Sequence, residues 1–174
     1  MATKALITPE LYLATQFERE PELVHGELVE RPLPKFPHGN LQLQLGSRLM
    51  ALQHSHPVFT GVEVRIRMAP DLYRIPDIAM WEGAAPDPLP TSPPLLVVEV
   101  VSPDDRWNDL LEKLEEYRAW GVQHIWLVEP ELKRVHVYDN GSLTQVSRLE
   151  LPQVGFAVTA ADLFGARFSG CFQK

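Results

Sequence analysis

Hydrophobic positions change their spacing several times along this chain, and each change of period marks an element. In HGNLQLQLGSRLMALQ, Leu41, Leu45, Leu49 and Leu52 recur every three or four residues, which predicts an amphipathic helix over 38–53. Upstream, ELVHGELVERP from Glu22 reads as a strand pair or a bent strand around Gly26. Downstream, VEVRIRM (62–68) and YRIPDIAMW (73–81) alternate or are β-branched and flank the turn residues Ala69, Pro70 and Asp71, so they predict a hairpin. GAAPDPLPTSPP (83–94) is too rich in proline for helix or central strand and is expected to be a surface loop. PLLVVEVVS is then a strand with almost no polar interruption, which implies cover on both faces. From about Asp105 to Trp120 the period returns to helical, with Leu110, Leu114, Tyr117 and Gly121 on one stripe and Gly121 placed to end it. HIWLVEP (124–130) and RVHVYD (134–139) are further strands, and Asp139-Asn140-Gly141 marks a hairpin turn into LTQVSRLEL, before a short turn-helix ending. The strand-helix-strand unit at 95–130 implies a right-handed crossover and a parallel pair. The expected class is α/β or α+β, built on a central mixed sheet.

The length of 174 residues suits one domain with a substantial core, spanning 1–174. A net charge of −7 argues against a DNA-coating protein, although it leaves room for a nucleic-acid enzyme whose groove is completed by a metal ion. With Cys171 the only cysteine, neither an intrachain disulfide nor a cysteine zinc site is available, and a reducing cytoplasm fits. No run approaches the roughly 18 apolar residues of a membrane span, so a soluble, cytoplasmic protein without a membrane partner is expected.

The anomaly in this pattern is Glu99, a carboxylate inside LLVVEVV. Side chains alternate across a strand, so Glu99 shares a face with Leu95, Val97 and Val101. An unpaired buried carboxylate costs several kcal/mol and therefore needs a cation, hydrogen-bond donors or a proton. A structural salt bridge, or a strand end emerging into water before Ser102-Pro103, would satisfy it. So would a shared cation. Asp77, in RIPDIAM, is a second carboxylate in an apolar strand, directly after Pro76, which marks an edge, bulge or turn. Were the two strands neighbours, Asp77 and Glu99 would converge, and two close carboxylates repel unless a hard divalent cation such as magnesium or manganese lies between them. On the second helix Asp109, Lys113 and Tyr117 follow one another at i, i+4. Lys113 lies about 60° from the leucine stripe, where its stem can run along the core and its ammonium can reach the end of the preceding strand. The alternative is an exposed lysine paired with Asp109 across one turn.

Pro76-Asp77, Glu99-Val100-Val101, the D-x-x-x-K-x-x-x-Y helix from Asp109 and GVQHIWLVEP together resemble the PD-(D/E)XK nuclease superfamily and, within it, the Uma-type restriction endonuclease family. The superfamily's lysine usually stands two residues after the glutamate, where this chain has Val101. In the Uma-type branch it is displaced to the next helix, which matches Lys113. The resemblance runs from about Glu22 to about Tyr138 and takes in ELVHGELVERP, His38 and PPLLVVEVVSP. Glu129 departs from it, since the family more often has Asp before Pro130.

The resemblance implies a restriction-endonuclease-like core, a central mixed sheet flanked by helices with extra N- and C-terminal strands. It implies an Mg²⁺-dependent endonuclease acting on DNA, with Mn²⁺ as a substitute, assembled as a homodimer. Asp77, Glu99 and the main-chain carbonyl of Val100 would hold the metal, and Lys113 would orient or activate the attacking water. Ser102 and Asp109 would support that set, and Tyr117 completes the helix motif. Glu22 is either an extra carboxylate at the site or a solvated strand residue, and His38 either touches a phosphate or simply opens a helix. Arg65, Arg67 and Arg74 either contact a DNA backbone or line an exposed hairpin face. His54-Ser55-His56, despite its metal-ligand spacing, reads as a solvated turn before Pro57. Two other functions compete with the nuclease: a silent nuclease-like scaffold that binds or regulates, and a metal-dependent hydrolase of small phosphoesters.

Overall fold

A computed structural model describes residues 6–165. Cys171 and most of the expected turn-helix ending lie outside the described residues.

The chain begins with a one-and-a-half-turn helix that its pattern did not announce, α1 (Pro9–Ala14), capped by Thr8 and burying only Tyr12. The hairpin of β1 (Glu22–Val24) and β2 (Glu27–Val29) follows, turning through His25 and Gly26 at φ 50° and 85°. Two successive positive φ values give the turn whose twist matches paired strands. The leucine stripe produces α2 (Phe36–Ala51), which starts two residues before the expected His38 because Pro37 is well accommodated in a first helical turn. Leu41, Leu45 and Leu49 are fully buried, each worth roughly 1.5–3 kcal/mol of apolar burial.

The expected long hairpin at 62–81 is corrected by the structure. It forms as four strands: β3 (Val58–Val62), β4 (Ile66–Ala69), β5 (Leu72–Arg74) and β6 (Ile78–Glu82). β4 and β5 pair around the predicted turn, whereas β3 and β6 pair in a different sheet. The first break falls at Glu63, held at φ 51°. The second falls at Pro76, which has no N–H to continue a ladder. The loop over 83–94 forms as expected, without regular structure.

The buried run is β7 (Leu96–Val100), followed by α3 (Trp107–Trp120), β8 (His124–Glu129), β9 (Arg134–Asp139) and β10 (Ser142–Val146). Gly121 ends α3 at φ 112°. LTQVSRLEL divides again, because β11 (Arg148–Leu151) pairs with β12 (Phe156–Thr159) and not with β9; α4 (Ala160–Phe164) closes the described chain.

Six strands form the central sheet in the order β10-β9-β8-β7-β6-β3, with β7 and β8 parallel and the remaining pairs antiparallel. A second, antiparallel sheet has the order β2-β1-β5-β4. α2, α4 and the β11–β12 pair cover one face of the central sheet, over Leu96, Val98, Trp126 and Val128. α3 covers the other, over Val97, Ile125 and Leu127. This is the mixed sheet flanked by helices that the sequence implies. Among the described residues no helix is long and apolar enough to cross a membrane.

Candidate active site

The break at Pro76 has a structural consequence for the residue that follows it. Asp77 stands where the chain leaves one sheet and enters the other, buried beside the end of β7. Its Oδ2 accepts a 2.7 Å hydrogen bond from the Val100 N–H, and its Oδ1 lies 3.2 Å from His38 Nε2 and 3.5 Å from an Arg31 nitrogen. The Gln42 amide on α2 fixes the Asp77 carbonyl at 2.8 Å. The β6–β7 ladder ends with Ile78 opposite Val98, short of Val100, and Pro76 lies beyond that end. Pro76 has no N–H to offer, so the Val100 carbonyl receives no ladder hydrogen bond from that side.

Glu99 lies on the face of β7 that α3 covers, as its alternation with Val97 requires. Burial raises its pKa, Lys113 pulls it down, and the charges of Asp77 and Glu22 push it up again, leaving it at about 7. The Lys113 ammonium, on the flank of α3, bridges Glu99 Oε1 and Glu22 Oε1 at 2.9 Å each. Its side chain is only 13% exposed, and it is not paired with Asp109. Burial disfavours the ammonium, but Glu22 and Glu99 outweigh it and hold Lys113 above its ordinary range. The Tyr117 hydroxyl donates to the same Glu99 oxygen at 2.7 Å; burial and the nearby carboxylates hold that proton on. Oε2 of Glu99 accepts no hydrogen bond from the described residues.

Glu22 is not a solvated strand residue and lines the same cleft as Asp77 and Glu99. It is buried on β1, with Oε1 accepting from the Ile75 N–H at 2.8 Å and Oε2 from Arg74 at 2.9 Å. Burial raises its pKa, yet Lys113 and Arg74 more than offset that and keep it ionised. Arg74 completes the chain of charges with a fork onto Glu116, at 2.7 and 2.9 Å. On the other side of Asp77, His38 Nδ1 lies 3.1 Å from the Ser102 hydroxyl, and the Ser102 N–H donates to Asp105 at 2.7 Å. Burial lowers the pKa of His38, but its hydrogen bond to Asp77 and the charges of Asp77, Glu99 and Asp105 hold it above the usual imidazole value.

These groups line a cleft of about 420 Å³ that contains Glu22, Asp77, Glu99, Val100, Ser102 and Lys113. Asp109 stands exposed on its wall. Of the three arginines expected to contact DNA, none is free in the cleft. Arg74 is buried and its donors are spent on Glu22 and Glu116. Arg65 pairs with Glu20 at 2.8 Å over the Tyr12 ring, and neither it nor the exposed Arg67 lines the cleft. His54, Ser55 and His56 are bonded within their own turn, away from the cleft. Arg31, Gln42, Asp105 and Glu116 were not anticipated. A polar Gln42 beside Leu41 on the buried stripe was a readable signal for one of them; Arg31 and Glu116 look solvated in sequence.

Among the described residues no cluster of three or more His, Cys, Asp or Glu side chains is arranged as a metal cage. Two carboxylates and a carbonyl without a ladder donor nonetheless form an all-oxygen donor set. Such a set suits magnesium, which keeps several waters and takes few protein ligands.

A family model, Uma2, described as "Putative restriction endonuclease", matches residues 9–161. The fold is also similar to a crystal structure of a "putative nuclease belonging to DUF820" from Anabaena variabilis, with a TM-score of 0.79, 20% identity, and coverage of 91% of this chain and 97% of that one. No curated protein matches the chain.

Proposed function

The chain belongs to the Uma2 family, and from that premise we propose that it hydrolyses phosphodiester bonds in DNA, using a divalent cation held by Asp77, Glu99 and the Val100 carbonyl. The observation that carries this reading is the meeting of two buried carboxylates with a lysine in one cleft, at the point where the two sheets part. Eight carboxylates against five Lys and Arg side chains line that cleft, so a phosphate backbone would be repelled unless a cation entered with it.

The cation, when bound, would supply Lewis-acid stabilisation of the charge that develops on the phosphoryl oxygens. Asp77 is oriented in advance by the Val100 N–H and His38, so little reorganisation is needed for it to serve as a ligand. Glu99, its pKa raised to about 7, would serve as a ligand in its ionised form. Lys113, held as an ammonium by two carboxylates, acts as a donor. It orients the attacking water and offsets charge on the phosphate, and does not act as a base. Tyr117 and Glu22 position Glu99 and Lys113 and touch no substrate.

A second reading, a nuclease-like scaffold that binds without cutting, is favoured by the net charge of −7. One set of measurements separates the two: Mn²⁺-supported cleavage of plasmid and single-stranded DNA by the wild type and by Asp77→Ala, Glu99→Ala and Lys113→Ala. Cleavage lost in all three variants is the expected result. Equal residual cutting in every variant would mean a contaminant, and no cutting with no metal-dependent stabilisation would favour the scaffold.

A further inference from the structure

We infer that Arg31 is the phosphate-binding residue of this cleft, its guanidinium taking the non-bridging oxygens of a DNA phosphodiester drawn up beside Asp77. This rests on the nuclease reading above. Arg31 projects from the segment that joins β2 to α2 and lines the cleft. Its side chain is 16% exposed. Among the described residues it is held only by two long ion pairs, 3.5 Å from Glu63 Oε2 and 3.5 Å from Asp77 Oδ1. A guanidinium carries five N–H donors in a planar fork that matches two oxygens of one phosphate. Arg74 shows that fork satisfied in this same cleft, at 2.7 and 2.9 Å on Glu116. Arg31 has no such partner, although it is half-buried. Its proximity to Asp77 sets an anion bound there directly beside the carboxylates that would hold the cation.

Glu63 is the partner that this reading makes a competitor. It is 44% exposed, so its carboxylate can swing into water when a phosphate claims the fork.

The test uses the full chain in Ca²⁺, an oxygen-seeking cation chosen to load the site, and follows binding of a short labelled DNA duplex across about 50 to 200 mM salt. Cleavage kinetics in Mn²⁺ run alongside. Arg31→Met is expected to weaken binding roughly ten- to a hundredfold and to make the salt slope shallower by about 1, with a thermal midpoint close to wild type. Arg31→Lys should keep the slope but recover only part of the affinity, because a point charge cannot make the fork. Glu63→Gln should tighten binding. Arg67→Met, outside the cleft, is the comparison for loss of one charge elsewhere.

Unchanged affinity and slope in Arg31→Met, with wild-type cleavage intact, would overturn the inference and leave the nuclease reading standing. Weaker binding with an unchanged slope and no gain in Glu63→Gln would assign Arg31 a structural role and also overturn it. Should Arg31→Met fail to fold, Arg31→Lys and Glu63→Gln decide the matter by the same criteria. A wild type that neither binds nor cuts DNA would remove both.

Discussion

Replacing Lys113 with Met should produce a protein whose instability depends on pH, because the two carboxylates it bridges differ in what else holds them. The substitution keeps the length of the buried stem and removes the ammonium 2.9 Å from both Glu99 and Glu22. Glu22 still has Arg74 and the Ile75 N–H. Glu99 retains only the Tyr117 hydroxyl, and its pKa, already raised from 4.5 to about 7, must climb further once its largest opposing charge is gone. A group whose folded pKa is raised contributes fully to stability below its unfolded pKa and loses that contribution as pH rises through the folded value. At pH 5 Glu99 therefore takes a proton in the variant, and the loss reduces to the two hydrogen bonds of the ammonium, about 1–2 kcal/mol. At pH 8 the variant either buries an unmatched carboxylate or holds a proton against the solution, and the loss approaches the roughly 3–5 kcal/mol typical of a broken buried pair. For a chain of this size each kcal/mol moves the thermal midpoint by roughly 2–4 °C. Unfolding would be followed by circular dichroism in EDTA, comparing variant with wild type at both pH values. A loss at pH 5 equal to or larger than that at pH 8 would refute the reasoning about which carboxylate depends on Lys113.

Other outcomes follow from the same geometry. Arg74→Met should cost about 1.5–3 kcal/mol by urea denaturation, because it takes the fork from the part-buried Glu116 while Glu22 keeps Lys113 and the Ile75 N–H, yet leave the salt slope of DNA binding unchanged. Mn²⁺ affinity of the wild type, measured by calorimetry, should fall about tenfold per unit as pH drops below about 7, where the cation must displace the Glu99 proton; Glu99→Gln should bind weakly with no such dependence. Gly121→Ala should lower the urea midpoint by the equivalent of about 1–2 kcal/mol without changing the slope. There the new Cβ meets Pro93 at an ordinary 3.5 Å, so the cost would come from the backbone at φ 112° and not from crowding.

Short-range spacing was enough to place α2, β7, α3 and the turn at Asn140-Gly141, since each is specified by residues within a few positions of one another: a leucine stripe, an apolar run, a helix-ending glycine, a pair of residues that tolerate positive φ. The same local information put Glu99 on the face of Val97, Lys113 within reach of the strand end, and Asp77 as a second carboxylate in an apolar strand, but whether Asp77 and Glu99 meet depended on which strands are neighbours. What periodicity reports is which face of an element is buried, and it is silent about which element does the burying. VEVRIRM and YRIPDIAMW alternate equally well as one hairpin or as strands of two sheets; Glu63 and Pro76 break them, but only the competing partners, β7 for β6 and β1 for β5, decide where the halves go. That division brings Glu22 against Lys113, closes Arg74 onto Glu116 and leaves Arg31 unforked in the cleft. Charged side chains carry no periodic signal of their own, so whether an arginine is spent or available depends on residues distant in sequence, and the tertiary structure alone determined it.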